Sequence, residues 1–164
     1  MKNKTQKIVL SALLAALTCV ATMLIKVPSP LKGYVNLGDC VVLLSGWVLS
    51  PLYAFLTAGI GSALADIFSG YIIYAPATFL IKGIMALICC LALRSIKKKP
   101  LVVQITSGVI AEIVMVGGYY IFEGFMYGFV ASAVNIPANA VQGVFGIVLG
   151  VMLMRVFKKS DIVK

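Results

Sequence analysis

Residues 8–25 read IVLSALLAALTCVATMLI, eighteen consecutive residues without a charge. A helix needs about 20 apolar residues to cross a bilayer, so this stretch predicts a membrane-spanning helix. Three lysines within the first seven residues precede it, as in a signal peptide, but no clear cleavage site follows. We therefore expect a permanent first helix over residues 8–26.

The composition extends this expectation to the whole chain. Of the 164 residues, 62% are hydrophobic and 12% are charged, with a mean hydropathy of +1.08. Soluble domains carry about 25% charged residues. We predict a single all-α membrane domain over residues 1–164, without a separate soluble enzyme.

Prolines, glycines and basic residues divide the remaining apolar sequence into further helices. One of them is short for a span, so we expect it to be tilted or partly shielded by protein. The glycine- and aromatic-rich segment 123–134 is expected to be an outer connection. The six predicted helices are 8–26, 37–49 (the short one), 51–69, 77–95, 101–122 and 135–156.

The basic residues set the orientation. Eleven of the 14 lie in three clusters at the ends of apolar runs: Lys2, Lys4, Lys7; Arg94, Lys97, Lys98, Lys99; and Arg155, Lys158, Lys159, Lys164. The positive-inside rule and six spans place all three clusters, and both chain ends, in the cytoplasm. The chain has no continuous basic face with interleaved aromatic residues, which argues against nucleic-acid binding.

Other sites are excluded by composition. The four cysteines show no spacing typical of a disulfide framework or a zinc site, and the chain has no histidine. We expect no catalytic residue, metal or cofactor.

Polar residues within the predicted spans are costly and so need partners or a function. Most lie toward the outer ends of their helices. Helical spacing groups them into faces that indicate an outward-opening pocket for a small polar ring. The faces comprise Glu112, Tyr119 and Glu123; Asn135, Asn139, Gln142 and Gly146; Tyr74, Thr78 and Lys82; and Gly59, Ser62, Asp66 and Ser69.

Simpler interpretations stay open for these residues. Lys82 is expected either to contact a ligand or to pair with Glu112 or Asp66. Asp39 and Glu123 suit lipid headgroups or helix caps. Asn139 and Gln142 suit hydrogen bonds between helices. An interfacial belt would explain the tyrosines near the outer surface, which are Tyr71, Tyr74, Tyr119 and Tyr120.

Small residues mark possible helix contacts. Ala12 and Ala16 share a face of helix 1, a spacing that lets another helix approach closely. Gly146 and Gly150 repeat the spacing in helix 6. Packing within the bundle and a membrane partner both explain such pairs.

Several of these segments together resemble the substrate-binding S components of energy-coupling factor (ECF) transporters. The resemblance covers nearly the whole chain. It is carried by the Ala12/Ala16 pair and by VNLGD (35–39), GIGSALADIFSG (59–70), YAPATFLIKG (74–83) and NIPANAVQG (135–143).

The resemblance implies a protein that captures a vitamin or its precursor outside a prokaryotic cell. It would associate with a transmembrane coupling subunit through Ala12 and Ala16, together with two cytoplasmic ATPases, and would topple to deliver the ligand. The loop after helix 1 would act as a lid. The implied substrate-binding residues are Asn36, Tyr74, Lys82, Glu112, Tyr119, Asn139 and Gln142. The subgroup resemblance favours pyridoxine or hydroxymethylpyrimidine, with riboflavin, pantothenate and biotin as alternatives.

The sequence also bears on two other functions. An intramembrane aspartyl enzyme built on Asp39 and Asp66 is disfavoured because NLGD (36–39) departs from the Gly-x-Gly-Asp pattern. A self-sufficient or proton-coupled carrier using Lys82 and Glu112 remains an alternative. The chain has no phosphate-binding loop, so any ATP hydrolysis belongs to another chain.

Overall fold

A computed structural model describes residues 3–29, 34–96 and 99–159 of the protein. Two short strands and a set of helices make up these residues. In chain order they are α1 (Lys4–Leu24), β1 (Lys26–Pro28), β2 (Tyr34–Asn36), α2 (Asp39–Val48), α3 (Pro51–Phe68), α4 (Ala75–Ser95), α5 (Pro100–Tyr127), α6 (Phe129–Ser132), a 3-10 turn (Ala133–Asn135) and α7 (Ile136–Lys159).

Within the described residues, five helices are long and apolar enough to cross a membrane: α1, α3, α4, α5 and the α6–α7 region. The predicted helical membrane bundle is confirmed. Neighbouring helices α3 and α4 run antiparallel, because Gly59 contacts Phe79 and Phe55 contacts Gly83. Helix α5 runs antiparallel to α4, because Tyr119 contacts Thr78 and Glu123 contacts Tyr74. It also runs antiparallel to α7, because Glu112 contacts Gly143 and Gly108 contacts Ile147. Helix α1 runs parallel to α3, because Ser11 contacts Thr57 and Ala15 contacts Gly61. The N-terminus of α1 and the C-termini of α4 and α7 therefore lie at one end, as the basic residues predict.

The short helix α2 lies inside the bundle. Nine of its ten residues are buried. Ten residues span only about 15 Å. The extended strand β2 leads down to it from the outer surface, so the chain crosses the bundle as strand plus helix. Non-helical backbone is tolerated in a membrane where protein shields it, and β2 is half-buried at Tyr34 and Val35 and buried at Asn36.

Close contacts hold α2 in place. A Cβ atom added at Gly46 would lie 2.5 Å from the Ala86 carbonyl oxygen of α4, so glycine permits the approach. On the other side, Gly146 and Gly150 of α7 face Asp39 and Cys40. Gly146 and Gly150, the small-residue pair noted in the sequence, therefore pack within the bundle.

The outer side differs from the prediction in two places. Strands β1 and β2 form an antiparallel hairpin, with Val27 opposite Val35, where a loop was expected. Its connection at residues 30–33, and Lys2, Lys97, Lys98 and Lys164 of the basic clusters, lie outside the described residues. The segment 123–134 is largely helical, since α5 continues to Tyr127 and ends at Gly128, whose φ of +91° favours glycine.

Candidate functional site

A small polar cavity lies near the outer ends of the helices, beneath the β1–β2 hairpin. Its volume is about 30 Å³, well below the roughly 150 Å³ of an engineered cavity that binds benzene. A ring-sized ligand therefore needs the walls to part. The described lining residues are Thr22, Ser29, Tyr34, Asn36, Ser62, Asp66, Tyr71, Tyr74, Thr78, Lys82, Tyr119, Glu123, Asn135, Asn139 and Gln142.

Lys82 forms the floor of the cavity. It is the eighth residue of α4, about 10 Å below the outer end of the helix at 1.5 Å per residue. Its ammonium group donates to Asp39 Oδ1 in a fully buried ion pair. The predicted pairing with Glu112 or Asp66 is wrong, because α2 begins deep in the bundle and brings Asp39 to Lys82. The same placement contradicts the headgroup interpretation of Asp39, although Asp39 does lie in the first turn of α2.

Gln142 of α7 connects this ion pair to the hairpin. Its Nε2 donates to Asp39 Oδ2, and its Oε1 accepts a hydrogen bond of 2.8 Å from the backbone N–H of Asn36. The Asn36 side chain in turn accepts from the Gly38 N–H at 2.8 Å. Lys82, Asp39, Gln142 and Asn36 thus form one network from the floor to the hairpin.

Aromatic side chains form the outer walls. The rings of Tyr34 and Tyr71 lie 4.9 Å apart, and Tyr71 lies 6.1 Å from Tyr74. Tyr119 shares a hydrogen bond of 3.0 Å with Thr78, and its ring lies 5.5 Å from Lys82 Nζ. Rings in these positions offer apolar faces for stacking and hydroxyl groups for hydrogen bonds.

The two glutamates of α5 occupy different places. Glu123 lines the cavity, receiving hydrogen bonds from Tyr74 (3.4 Å) and Asn135 (2.9 Å), rather than facing headgroups. Glu112 is buried but does not belong to the lining. Its carboxylate lies behind Asp39, against Gly143 and Gly146, and neither oxygen has a hydrogen-bond partner among the described residues.

Six of the seven predicted substrate-binding residues therefore surround one cavity, and Glu112 lies behind it. Asn139 lines the cavity half-buried. The prediction left out Asp66, Ser62 and Tyr34 as ligand contacts. The i, i+4 spacing of Ser62 and Asp66 was a usable signal, but the position of Tyr34 depends on the hairpin.

Ala12 and Ala16 lie on the exposed face of α1. Their neighbours Ser11 and Ala15 instead face α3, where the Ala15 carbonyl oxygen lies 2.5 Å from a Cβ added at Gly61. The two adjacent pairs of small residues thus divide α1 between an internal contact and an open surface.

Comparison with known proteins points to one family. The family model described as the S component of the ECF-type riboflavin transporter matches residues 2–159. A protein of Pyrococcus woesei without an assigned function is 34% identical over 141 residues, covering 85% of this chain and 93% of that protein. The thiamine precursor transporter HmpT of Lactococcus lactis subsp. cremoris is 27% identical, covering 99% and 94%.

A solved structure of the S component of a bacterial ECF transporter has the same fold. The TM-score is 0.78 at 23% identity, and the match covers 96% of this chain and 98% of the other.

Proposed function

Since this chain belongs to the S components of ECF transporters, we propose that its outer cavity captures a small single-ring vitamin precursor. The family is one of multi-pass membrane subunits that bind substrate, and it is not a family of enzymes. The observation that carries the proposal is the buried cavity, in which tyrosine rings surround the network of Lys82, Asp39 and Gln142.

Two observations favour a single ring. The thiamine precursor transporter HmpT covers nearly the full chain in the alignment. The cavity is also small, so a single ring requires less separation of its walls than the three fused rings of riboflavin. Pyridoxine and hydroxymethylpyrimidine meet this requirement. We assign Asn36, Tyr74, Lys82, Tyr119, Asn139 and Gln142 to the ligand, and Glu112 to support of the floor from behind.

Delivery into the cell depends on other chains in this proposal. The exposed face of α1 that contains Ala12 and Ala16 contacts a transmembrane coupling subunit, to which two cytoplasmic ATPases attach. Small side chains permit close approach of a partner helix. The single membrane unit then topples with its ligand when the ATPases act.

Native mass spectrometry of the purified protein tests capture. We expect one monocyclic heteroaromatic compound to copurify, and titration calorimetry to give one tight site per chain. Absence of binding across pyridoxine, hydroxymethylpyrimidine, riboflavin, pantothenate and biotin would contradict the proposal. Uptake by the protein alone in liposomes would instead favour a self-sufficient carrier.

A further inference from the structure

One turn of α3 presents two polar side chains to the cavity. Ser62 and Asp66 are four residues apart and share a helix face. They are only 2% and 5% exposed. Both line the cavity.

Each of these side chains has an atom without a partner. Ser62 Oγ and Asp66 Oδ2 make no hydrogen bond within the described residues. Glu123 of the same lining differs, because each of its oxygens accepts a hydrogen bond. Burying a polar atom without a partner is costly, so an unpaired carboxylate oxygen at a cavity wall points to a donor supplied from outside the chain.

The other oxygen of Asp66 is already used. Tyr34 donates its hydroxyl to Asp66 Oδ1 at 2.6 Å. Tyr34 therefore holds one oxygen of the Asp66 carboxylate and leaves Oδ2 without a hydrogen-bond donor among the described residues.

The charge of the lining favours the same kind of ligand. Lys82 is the cation among the described lining residues, and Asp39 neutralises it. Asp66 and Glu123 have no cationic partner among the described ion pairs. Lys26 lies over the Tyr34 ring, 5.6 Å from its centroid, but does not line the cavity. An anionic ligand would meet two carboxylates in the lining, whereas a donor group would be stabilised.

We propose that Ser62 and Asp66 form a subsite that accepts an amino group, a hydroxyl group or a protonated ring nitrogen of a neutral or cationic heteroaromatic ligand, and that discriminates against carboxylate- and phosphate-bearing compounds. This inference rests on the proposed function of the cavity. It adds the chemistry by which the ligand is chosen.

Matched compounds test the charge preference on the unaltered protein. Calorimetry would compare 4-amino-5-hydroxymethyl-2-methylpyrimidine, pyridoxine and riboflavin, each with its phosphate ester, and also pantothenate and biotin. We expect the phosphate ester of the bound compound to bind at least about tenfold more weakly than its neutral form, because one charge-assisted contact is lost and repulsion is added. Equal or tighter binding of an anionic compound would overturn the inference.

Substitutions test the two residues. D66N keeps the acceptor for Tyr34 but places an amide donor where Oδ2 was, so affinity for the neutral ligand should fall at least about tenfold. S62A should weaken binding less. S11A is the matched control, because Ser11 Oγ is also buried and unpaired but does not line the cavity. Unchanged affinity of D66N would contradict this inference alone, whereas wild-type protein that binds none of the compounds would contradict the proposed function as well.

Discussion

The ion pair between Lys82 and Asp39 is the most deeply buried charge interaction of the cavity. Lys82 is 2% exposed and Asp39 is fully buried. Separating such a pair leaves one charge without compensation in a medium of low dielectric constant, which costs about 3–5 kcal/mol. The pair therefore supports both the floor of the cavity and the position of α2.

We predict that K82M destabilises the protein by about 3–5 kcal/mol, because Asp39 is left buried with Gln142 as its remaining hydrogen-bond donor. The double variant D39N/K82M should recover most of this loss, since no unpaired charge remains. Thermal unfolding in detergent measures both. A double variant no more stable than K82M would contradict the assigned pairing.

Asn139 and Gln142 should respond differently to substitution. Gln142 bonds Asp39 and Asn36, so Q142A should lower both ligand affinity and thermal stability. Asn139 lines the cavity without such a network, so N139A should weaken binding and leave the unfolding temperature nearly unchanged. Calorimetry and thermal unfolding together separate the two effects. Unchanged affinity of N139A would remove it from the site.

Much of the cavity could be predicted from helical spacing, because residues four apart on one helix share a face. The pairing of Lys82 could not be predicted in this way. It depends on the depth at which α2 begins, and that depth is set by the hairpin and by contacts with α4 and α7. Spacing within one helix contains no information about depth relative to another.

At the scale of elements, glycines set the distance between helices. Gly46 of α2 faces the backbone of Ala86, whereas a Cβ atom at Gly117 of α5 would meet nothing within 4 Å. Both glycines lie within helices and differ in what surrounds them. They therefore form a matched pair for measuring close approach.

We predict that G46A lowers the unfolding temperature substantially. The added methyl group would meet the backbone of Ala86, which cannot move aside as a flexible side chain does. Overpacking of this kind costs typically about 1–3 kcal/mol. G117A serves as the control and should be neutral or slightly stabilising, since alanine favours helix more than glycine does. Equal effects of the two changes would show that α2 does not pack on α4 as closely as described.

The length of α2 could be predicted from the sequence, whereas its burial and the end of α5 could not. The shortness of α2 was visible because apolar residues end at Ser50-Pro51. The burial of nine of its ten residues could not be predicted, since a uniformly apolar helix suits lipid and protein equally well. The end of α5 was misplaced because glycines and aromatic residues, typical of loops in soluble proteins, are compatible with helices in membranes.

At the scale of the whole molecule, the cavity and the open face of α1 are separate surfaces. Ala12 and Ala16 do not line the cavity. Capture and coupling can therefore be disrupted independently. In the sequence, the Ala12/Ala16 pair suited packing within the bundle as well as a membrane partner. The structure shows that Ser11 and Ala15 make the internal contact with α3 and that Ala12 and Ala16 are exposed.

We predict that replacing Ala12 and Ala16 together by tryptophan abolishes uptake in cells that contain the partner subunits, while the purified protein binds ligand with unchanged affinity. The bulky rings would prevent close approach of a partner helix. I113W provides a control, because Ile113 is exposed on α5. Normal uptake by the α1 double variant would refute the coupling surface.

The burial of α2 also constrains how the protein is made. Ten residues headed by a carboxylate are too few to partition into lipid unaided as the chain leaves the ribosome. The groups that satisfy Asp39 are Lys82 and Gln142, which follow it by 43 and 103 residues. Insertion of α2 must therefore wait for later segments, and α7 completes the environment of Asp39.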